Sequence, residues 1–287
     1  MKCRTAFLFS LLFLCIASSG ASAGIIRIVL SPLDVSVNET GTIPVGLQFV
    51  NLGDESAENV RFTLLLPEGF GANPVFIGTL PVNEQLNVSF NISMPHGLLP
   101  GVYPVVVMTD YTDLNNYPFS SVTPGVITLK EKVYPLLFAD MNPVSVKDGE
   151  KATITLTVRN MDEDSHNISV RFYLPREIKA NQTLAYLTME GKTEHKVSFE
   201  VSPFGALPMS NYLTFVSVEY EDSVHYMIYP TKPGVVSIGG QVPSAPAKSV
   251  SNTEKAELGE SGLVKKLPYI LIVLSVVVIY VSFKVGD

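Results

Sequence analysis

Strict alternation of apolar and polar residues runs through most of this chain. Leu86, Val88, Phe90, Ile92 and Met94 point one way, and Asn87, Ser89, Asn91 and Ser93 the other. Ile43, Val45, Leu47 and Phe49 form a second such run, and Val60, Phe62, Leu64 and Leu66 a third. Further along, Ala152, Ile154, Leu156 and Val158 alternate with Thr153, Thr155, Thr157 and Arg159. Ile168, Val170, Phe172 and Leu174 repeat the pattern, as do Val197, Phe199 and Val201. A period of two is that of a half-buried strand. One apolar and one wet face per strand predicts antiparallel sheets packed face to face. No amphipathic helical period precedes the last stretch of the chain.

The runs occur twice in the same order. Asn51–Pro67 (NLGDESAENVRFTLLLP) returns as Asn160–Pro175 (NMDEDSHNISVRFYLP). Val88–Phe90 returns as Val197–Phe199, Leu99-Pro100 as Leu207-Pro208, and Asp110-Tyr111 as Glu219-Tyr220. Pro124-Gly125-Val126 returns as Pro233-Gly234-Val235. An offset of 108 or 109 residues is a duplicated domain rather than a solenoid unit. About seven strands in roughly 105 residues fit an immunoglobulin-like sandwich. The expected fold is all-β: two tandem immunoglobulin-like β-sandwich domains plus a single C-terminal transmembrane helix. The expected boundaries are 24–130 and 131–238, and the short join near Glu131-Lys132-Val133 predicts end-to-end stacking.

The two ends read as targeting segments. Met1–Ala23 has a charged start (Lys2, Arg4), an apolar stretch (Ala6–Ala17) and small residues at Ala21-Ser22-Ala23. These are the parts of a secretory signal peptide, cleaved between Ala23 and Gly24. Phe13-Leu14 before Cys15 are too bulky for a lipobox. Leu267–Phe283 carries no charge, and Tyr269 and Tyr280 flank it. That places a transmembrane helix at 267–285, anchoring the chain in the lipid bilayer. A GPI-type signal is the alternative, against which Lys284 and Asp287 weigh. Lys265-Lys266 on the outer side run against the positive-inside tendency, and the signal outweighs them. The expected topology is single-pass type I in the cell membrane, with the ectodomain outside the cell. Gly239–Lys266, rich in Gly, Ser, Pro, Ala and charge, reads as a flexible stalk.

Both cysteines, Cys3 and Cys15, fall in the signal, so the mature chain has no disulfide and no thiol chemistry. Exported eukaryotic sandwiches often carry a disulfide, so its absence leans towards an archaeal or bacterial envelope. Net charge is −7, and −9 once Lys2 and Arg4 leave with the signal. An acidic chain disfavours nucleic acid as a partner.

One stretch carries a family resemblance. Asn51-Leu-Gly-Asp, Ala57-Glu-Asn59-Val60 and Leu66-Pro67-Glu-Gly69-Phe70 are followed by Gly78-Thr79-Leu80, Val88-Ser89-Phe90 and Pro100-Gly101-Val102-Tyr103. This order resembles the sandwich modules associated with some α-galactosidases, with cell-adhesion-related bacterial repeats and with archaeal S-layer-like surface proteins. Copy two departs from it, with Asp162 for the turn glycine and Arg176-Glu177 for Glu-Gly. The resemblance implies non-catalytic spacers or binding units and supplies no catalytic residues. The turn glycine, Gly53, is expected at positive φ.

Candidate chemistry is sparse. Five Asn-x-Ser/Thr sequons, at Asn38, Asn87, Asn91, Asn167 and Asn181, are candidate N-glycosylation sites. Asp54-Glu55 and Asp162-Glu163-Asp164 share a turn, where a Ca²⁺ site competes with an ordinary solvated acidic turn. His96, His166, His195 and His225 form no zinc spacing and read as surface or strand-end residues. No metal, cofactor or catalytic residue is assigned. Tyr103, Tyr111, Tyr117 and Phe119 cluster late in copy one; Tyr212, Phe215, Tyr220, Tyr226 and Tyr229 do so in copy two. They fill sandwich cores or anchor a partner, and Tyr220, Tyr226 and Tyr229 around the predicted hairpin are candidate partner contacts. The chain therefore reads as a non-enzymatic surface protein for adhesion, envelope attachment or spacing, with an envelope glycan or another surface or membrane protein as partner. The alternative is an accessory ectodomain of a membrane transporter, secretion or surface-hydrolase complex. An enzyme is the third reading, disfavoured because no nucleophile–base set is visible.

Overall fold

The computed structural model describes residues 24–147, 149–231 and 233–239, all within one compact unit, Met1–Pro243. The signal segment, the transmembrane segment and all but Gly239 of the stalk lie outside the described residues, as does Ala23 of the cleavage pair. Among the described residues every regular element is a strand, and no helix is long and apolar enough to cross a membrane.

Copy one contributes β1 (Ile28–Leu30), β2 (Asp34–Val37), β3 (Thr42–Asn51), β4 (Ala57–Leu65), β5 (Val75–Leu80), β6 (Gln85–Ser93), β7 (Gly101–Thr112) and β8 (Pro118–Leu129). A three-stranded sheet, β1-β3-β6, faces a second sheet in which β2, β8, β7, β4 and β5 are neighbours in that order. The alternating side chains meet between the sheets. Phe49 on β3 and Phe62 on β4 are fully buried, and their rings stack at 3.7 Å.

Copy two contributes β9 (Leu137–Met141), β10 (Val144–Val146), β11 (Ala152–Asn160), β12 (His166–Tyr173), β13 (Ile178–Ala180), β14 (Leu184–Met189), β15 (Glu194–Pro203), β16 (Asn211–Glu221), β17 (Tyr226–Pro230) and β18 (Gly234–Ile238). Here β13-β15-β11-β9 faces a sheet built on β16, which pairs β12, β17 and β18. Phe172 and Phe199 meet across the sheets at 4.9 Å. Each copy thus buries its own apolar core, and the two are β-sandwiches.

The buried residue at each crossing between the sheets, from β3 to β4 and from β11 to β12, is an asparagine. Asn51 Nδ2 donates to the Glu55 and Leu80 carbonyls, and its Oδ1 accepts from the Gly53 and Arg27 amides. Asn160 Nδ2 donates to the Asp164 and Glu190 carbonyls, and its Oδ1 accepts from the Asp162 amide. An Asx side chain that bonds its own backbone two residues on builds a turn. Gly53 does not sit at positive φ. Its role is space: a Cβ there would lie 1.9 Å from the Ile25 carbonyl oxygen.

The copies are not stacked end to end. They dock face to face through equivalent strands, β7 of copy one and β16 of copy two, both buried on both sides for most of their length. Val106, Met108 and Val122 of copy one pack with Tyr173 and Phe215 of copy two. The gap at the middle of this contact is about 10 Å³, at or below the roughly 10–15 Å³ a single water requires. At one end β17 pairs in parallel with β7 through Tyr226 and Gly101, which makes the two larger sheets one continuous sheet.

Candidate functional site

The contact between the copies is where side chains of both domains converge. At its closed end the Tyr226 amide donates to the Pro100 carbonyl at 2.9 Å. The Tyr226 ring stacks on Tyr103 at 4.4 Å and 7°. The Tyr226 hydroxyl donates to Glu219 Oε2 at 2.6 Å. Ser217 Oγ and Arg171 Nε reach the other carboxylate oxygen of Glu219, so this buried acid has partners on both oxygens. Burial, reinforced by the Glu219 charge, raises the Tyr226 phenol well above its ordinary value. Burial also pushes Tyr103 up to about 12, with Glu221 adding to it.

At the other end, the β7–β8 hairpin of copy one grips the turn after β12. Glu177, 6% exposed, accepts from the Ser120 amide and the Ser120 hydroxyl, both at 2.6 Å. The Arg176 amide donates to Ser120 Oγ at 2.6 Å. The Arg176 guanidinium holds Asp110 with both arms, at 2.5 and 2.8 Å. The Tyr117 hydroxyl donates to the Gly205 carbonyl. Tyr111 stacks on Phe119 at 5.5 Å, and burial, with the Glu177 charge behind it, pushes its phenol up to about 12.

Beside this lock lies an open groove of about 680 Å³, lined by residues of both copies. Its floor is the outer face of β4, β5, β7 and β8, and its far wall is the Phe204-Gly205 turn of copy two. Phe76 and Phe204 present their rings to solvent, at 65% and 57% exposure.

The sequence-predicted residues fall in different places. All five sequon asparagines, Asn38, Asn87, Asn91, Asn167 and Asn181, are exposed, and none lines the groove. Tyr220 is 3% exposed, packs on His166 at 4.8 Å and takes a hydrogen bond from the Leu136 amide. A partner cannot reach it, because alternation along β16 turns Tyr220 into the core. Tyr226 serves the contact between the copies. Tyr229 packs edge-on against Phe138 at 5.4 Å.

His166 stands at a strand end, opening β12, and is buried, its Nε2 2.9 Å from Asp162 Oδ2. That contact and the Glu163 amide hold the Asp162 carboxyl below its ordinary value. Asp54 Oδ1 accepts from the Ile25 amide and Glu55 Oε1 from the Leu114 amide. The acidic turns are thus occupied by internal bonds. Among the described residues no three His, Cys, Asp or Glu side chains converge on a metal position.

Sequence reasoning missed Glu177, Ser120 and Arg176. The available signal was the unbroken apolar run Val102–Met108, which alternates with nothing and so has no wet face.

Residues 41–112, from the start of β3 to the end of β7, match the family model of the NPCBM-associated, NEW3 domain of alpha-galactosidase. This is the α-galactosidase-associated module that Asn51–Tyr103 resembles. No curated protein matches the chain. Among solved structures, a mutant of Salmonella alpha-2-macroglobulin is 9% identical with a TM-score of 0.31, covering 74% of this chain and 16% of its own. A protein of unknown function from Porphyromonas gingivalis is 12% identical with a TM-score of 0.30, covering 73% of this chain and 99% of its own. The native Escherichia coli alpha-2-macroglobulin is 10% identical with a TM-score of 0.28, covering 74% and 17% respectively. This chain thus spans less than a fifth of either macroglobulin.

Proposed function

We propose that this chain is a non-catalytic protein of the cell surface, anchored in the membrane at 267–285. It presents two immunoglobulin-like sandwiches as one rigid piece for adhesion, envelope attachment or spacing. The observation that carries this reading is the joint between the copies. A packed apolar contact, a shared sheet and the buried Glu177–Ser120 pair fix the modules against each other. Two beads on a flexible linker need none of these. A presenting or spacing rod does, because its reach depends on a fixed angle between modules.

Strand order supports the immunoglobulin-like assignment. So do Tyr103 and Tyr212, whose hydroxyls tie back to Leu99 and Leu207 just upstream of β7 and β16. The matched stretch is named as an associated domain, which supports an accessory rather than a catalytic role. The signal-like and apolar ends support placement outside the membrane on a single anchor.

Protease treatment of intact cells tests the reading, using the full-length chain tagged within 239–266. The expected result is removal of the ectodomain from intact cells and extraction of the remainder only by detergent. Full protection from the protease, or release by high pH without detergent, would overturn it. A pull-down from detergent-solubilised membranes adds the second arm. A stoichiometric integral-membrane partner would replace this reading with an accessory ectodomain of a transporter, secretion or surface-hydrolase complex.

A further inference from the structure

Four charged residues line the groove between the copies, Arg61, Arg176, Asp110 and Glu177. Asp110 is already held by both arms of Arg176, and both oxygens of Glu177 are used by Ser120. Asp110 is thereby neutralised, and Glu177, 6% exposed, keeps its charge below the surface. The Arg61 guanidinium, exposed on β4, has no ion pair or hydrogen bond among the described residues, although Arg61 sits opposite Asp110 in the β4–β7 register. By contrast Arg159, Arg171 and Arg176 are each paired with a carboxylate. Across the β4–β5 ladder Arg61 is level with Phe76. The Lys179 ammonium, which lines a separate cavity, covers one face of the Phe204 ring at 3.0 Å from its centre. A chain of net charge −7 thus leaves two exposed aromatic rings and an unpaired guanidinium around one groove.

We propose that this groove binds an acidic polysaccharide, a chain of sugar rings that carry carboxylates. The apolar C–H face of a sugar ring packs on an aromatic ring, whose face is the negative end of its quadrupole. Phe76 offers such a face, whereas Lys179 covers one face of Phe204. The planar guanidinium of Arg61 matches a carboxylate with two parallel hydrogen bonds. A volume of about 680 Å³ falls within the roughly 300–1,000 Å³ of small-ligand sites.

The floor argues against an acidic peptide. It is a sheet face most of whose backbone groups already bond along the β4–β5 and β4–β7 ladders, with an irregularity between Ala57 and Arg61. Peptide amides laid on it would be buried without partners, whereas sugar hydroxyls stay wet on the open side. The proposal deepens the surface-protein reading and rests on it for where such a polymer is met.

Calorimetric titration of the purified full-length chain in detergent micelles tests it, with oligogalacturonate as the probe and its carboxyl-reduced, neutral counterpart as the control. The expected result is saturable binding of the uronate, about tenfold tighter than the neutral oligomer. R61Q removes that preference and leaves the neutral oligomer's affinity unchanged. F76A weakens both by about tenfold, in the range of one lost stacking or charged hydrogen-bond contact. Both side chains are exposed, so both variants keep the wild-type melting temperature. Absence of saturable uronate binding overturns the proposal. So do equal affinity for the two oligomers, binding that neither variant weakens, and tighter binding of poly-glutamate through the same residues. The titration uses purified protein, so its failure is separate from any failure of the protease test on cells.

Discussion

The two copies solve one turn in two ways. In both, the asparagine at the end of the first long strand bonds the carbonyl four residues on and the amide two residues on. In both, the next residue's amide bonds back to the incoming chain, Leu52 to Arg27 and Met161 to Leu136. Copy one then brings its N-terminal segment down onto Gly53, which a Cβ would prevent, and buries the small Ala57 beside it. Copy two has Asp162 and His166 at these positions, bonded to each other. The duplication has kept the backbone cross-links and let the side chains that cover them drift as a pair. What the two turns share is the asparagine, which bonds backbone groups on both sides of each crossing.

The most damaging way to break this comparison is at the asparagines. Asn51→Ala and Asn160→Ala each strand several buried backbone groups and are expected to cost about 3 kcal/mol. Denaturant unfolding of the two variants measures it. Similar losses support a shared structural role. A cost under about 1 kcal/mol in copy two alone would show that the Asp162–His166 pair has taken over the turn.

A second difference lies at the start of β7 and β16. Gly101 has φ +142°, and a Cβ there would lie 2.0 Å from the Tyr226 carbonyl oxygen. Its counterpart is Ser210, whose hydroxyl donates to the Leu207 carbonyl within its own copy. Only copy one's strand is crossed by the other copy's backbone at this point. Gly101→Ala is expected to cost about 2 kcal/mol from strain and clash and to loosen the joint. Ser210→Ala loses one hydrogen bond, about 1 kcal/mol. Calorimetry that resolves two transitions for G101A and one for S210A would confirm that the joint couples the copies. One transition in both would remove the coupling role from Gly101.

Much of each sandwich was legible because its strands alternate, and alternation follows from one buried and one wet face. The joint was not, because β7 and β16 have no wet face. Their outward residues, Val106, Met108 and Phe215, look like more core. Tyr220 was misplaced for the same reason, since a hairpin of tyrosines shows no direction until the register is known. Gly53 was legible as a turn glycine but not for its reason, because a close approach between residues 25 and 53 is invisible in local sequence. In the groove, Arg61 and Phe76 become neighbours only through the β4–β5 pairing. Phe204 comes from the other copy altogether.

Alkali separates the copies by a different chemistry. Burial pushes Tyr103, Tyr111 and Tyr173 each up to about 12, against an unfolded value of about 10. A phenol raised in the fold stabilises it fully below pH 10, and that contribution disappears as pH climbs through 12. At pH 11 the loss is about 1 kcal/mol per tyrosine. Tyr173 belongs to the joint, next to Phe215, so Tyr173→Phe is expected to flatten the alkaline limb of the melting temperature. An unchanged slope between pH 9.5 and 11.5 would exclude Tyr173 from that limb.

Acid brings the smallest effect, and it falls on copy two. Asp162 has its carboxyl lowered by the His166 contact and by the Glu163 amide, and the equivalent residue in copy one, Gly53, has nothing to titrate. A carboxyl lowered in the fold contributes stability above its unfolded value of about 4. That contribution fades as pH falls, because the unfolded chain takes up the proton first. Asp162→Asn removes the titration while keeping a side chain that can accept from the Glu163 amide. Its unfolding free energy is therefore expected to fall less steeply than that of the wild type between pH 5 and pH 3. Parallel slopes would mean that the His166 pair does not distinguish the copies in solution. A shallower slope for D162N would place part of copy two's acid sensitivity at the turn between β11 and β12.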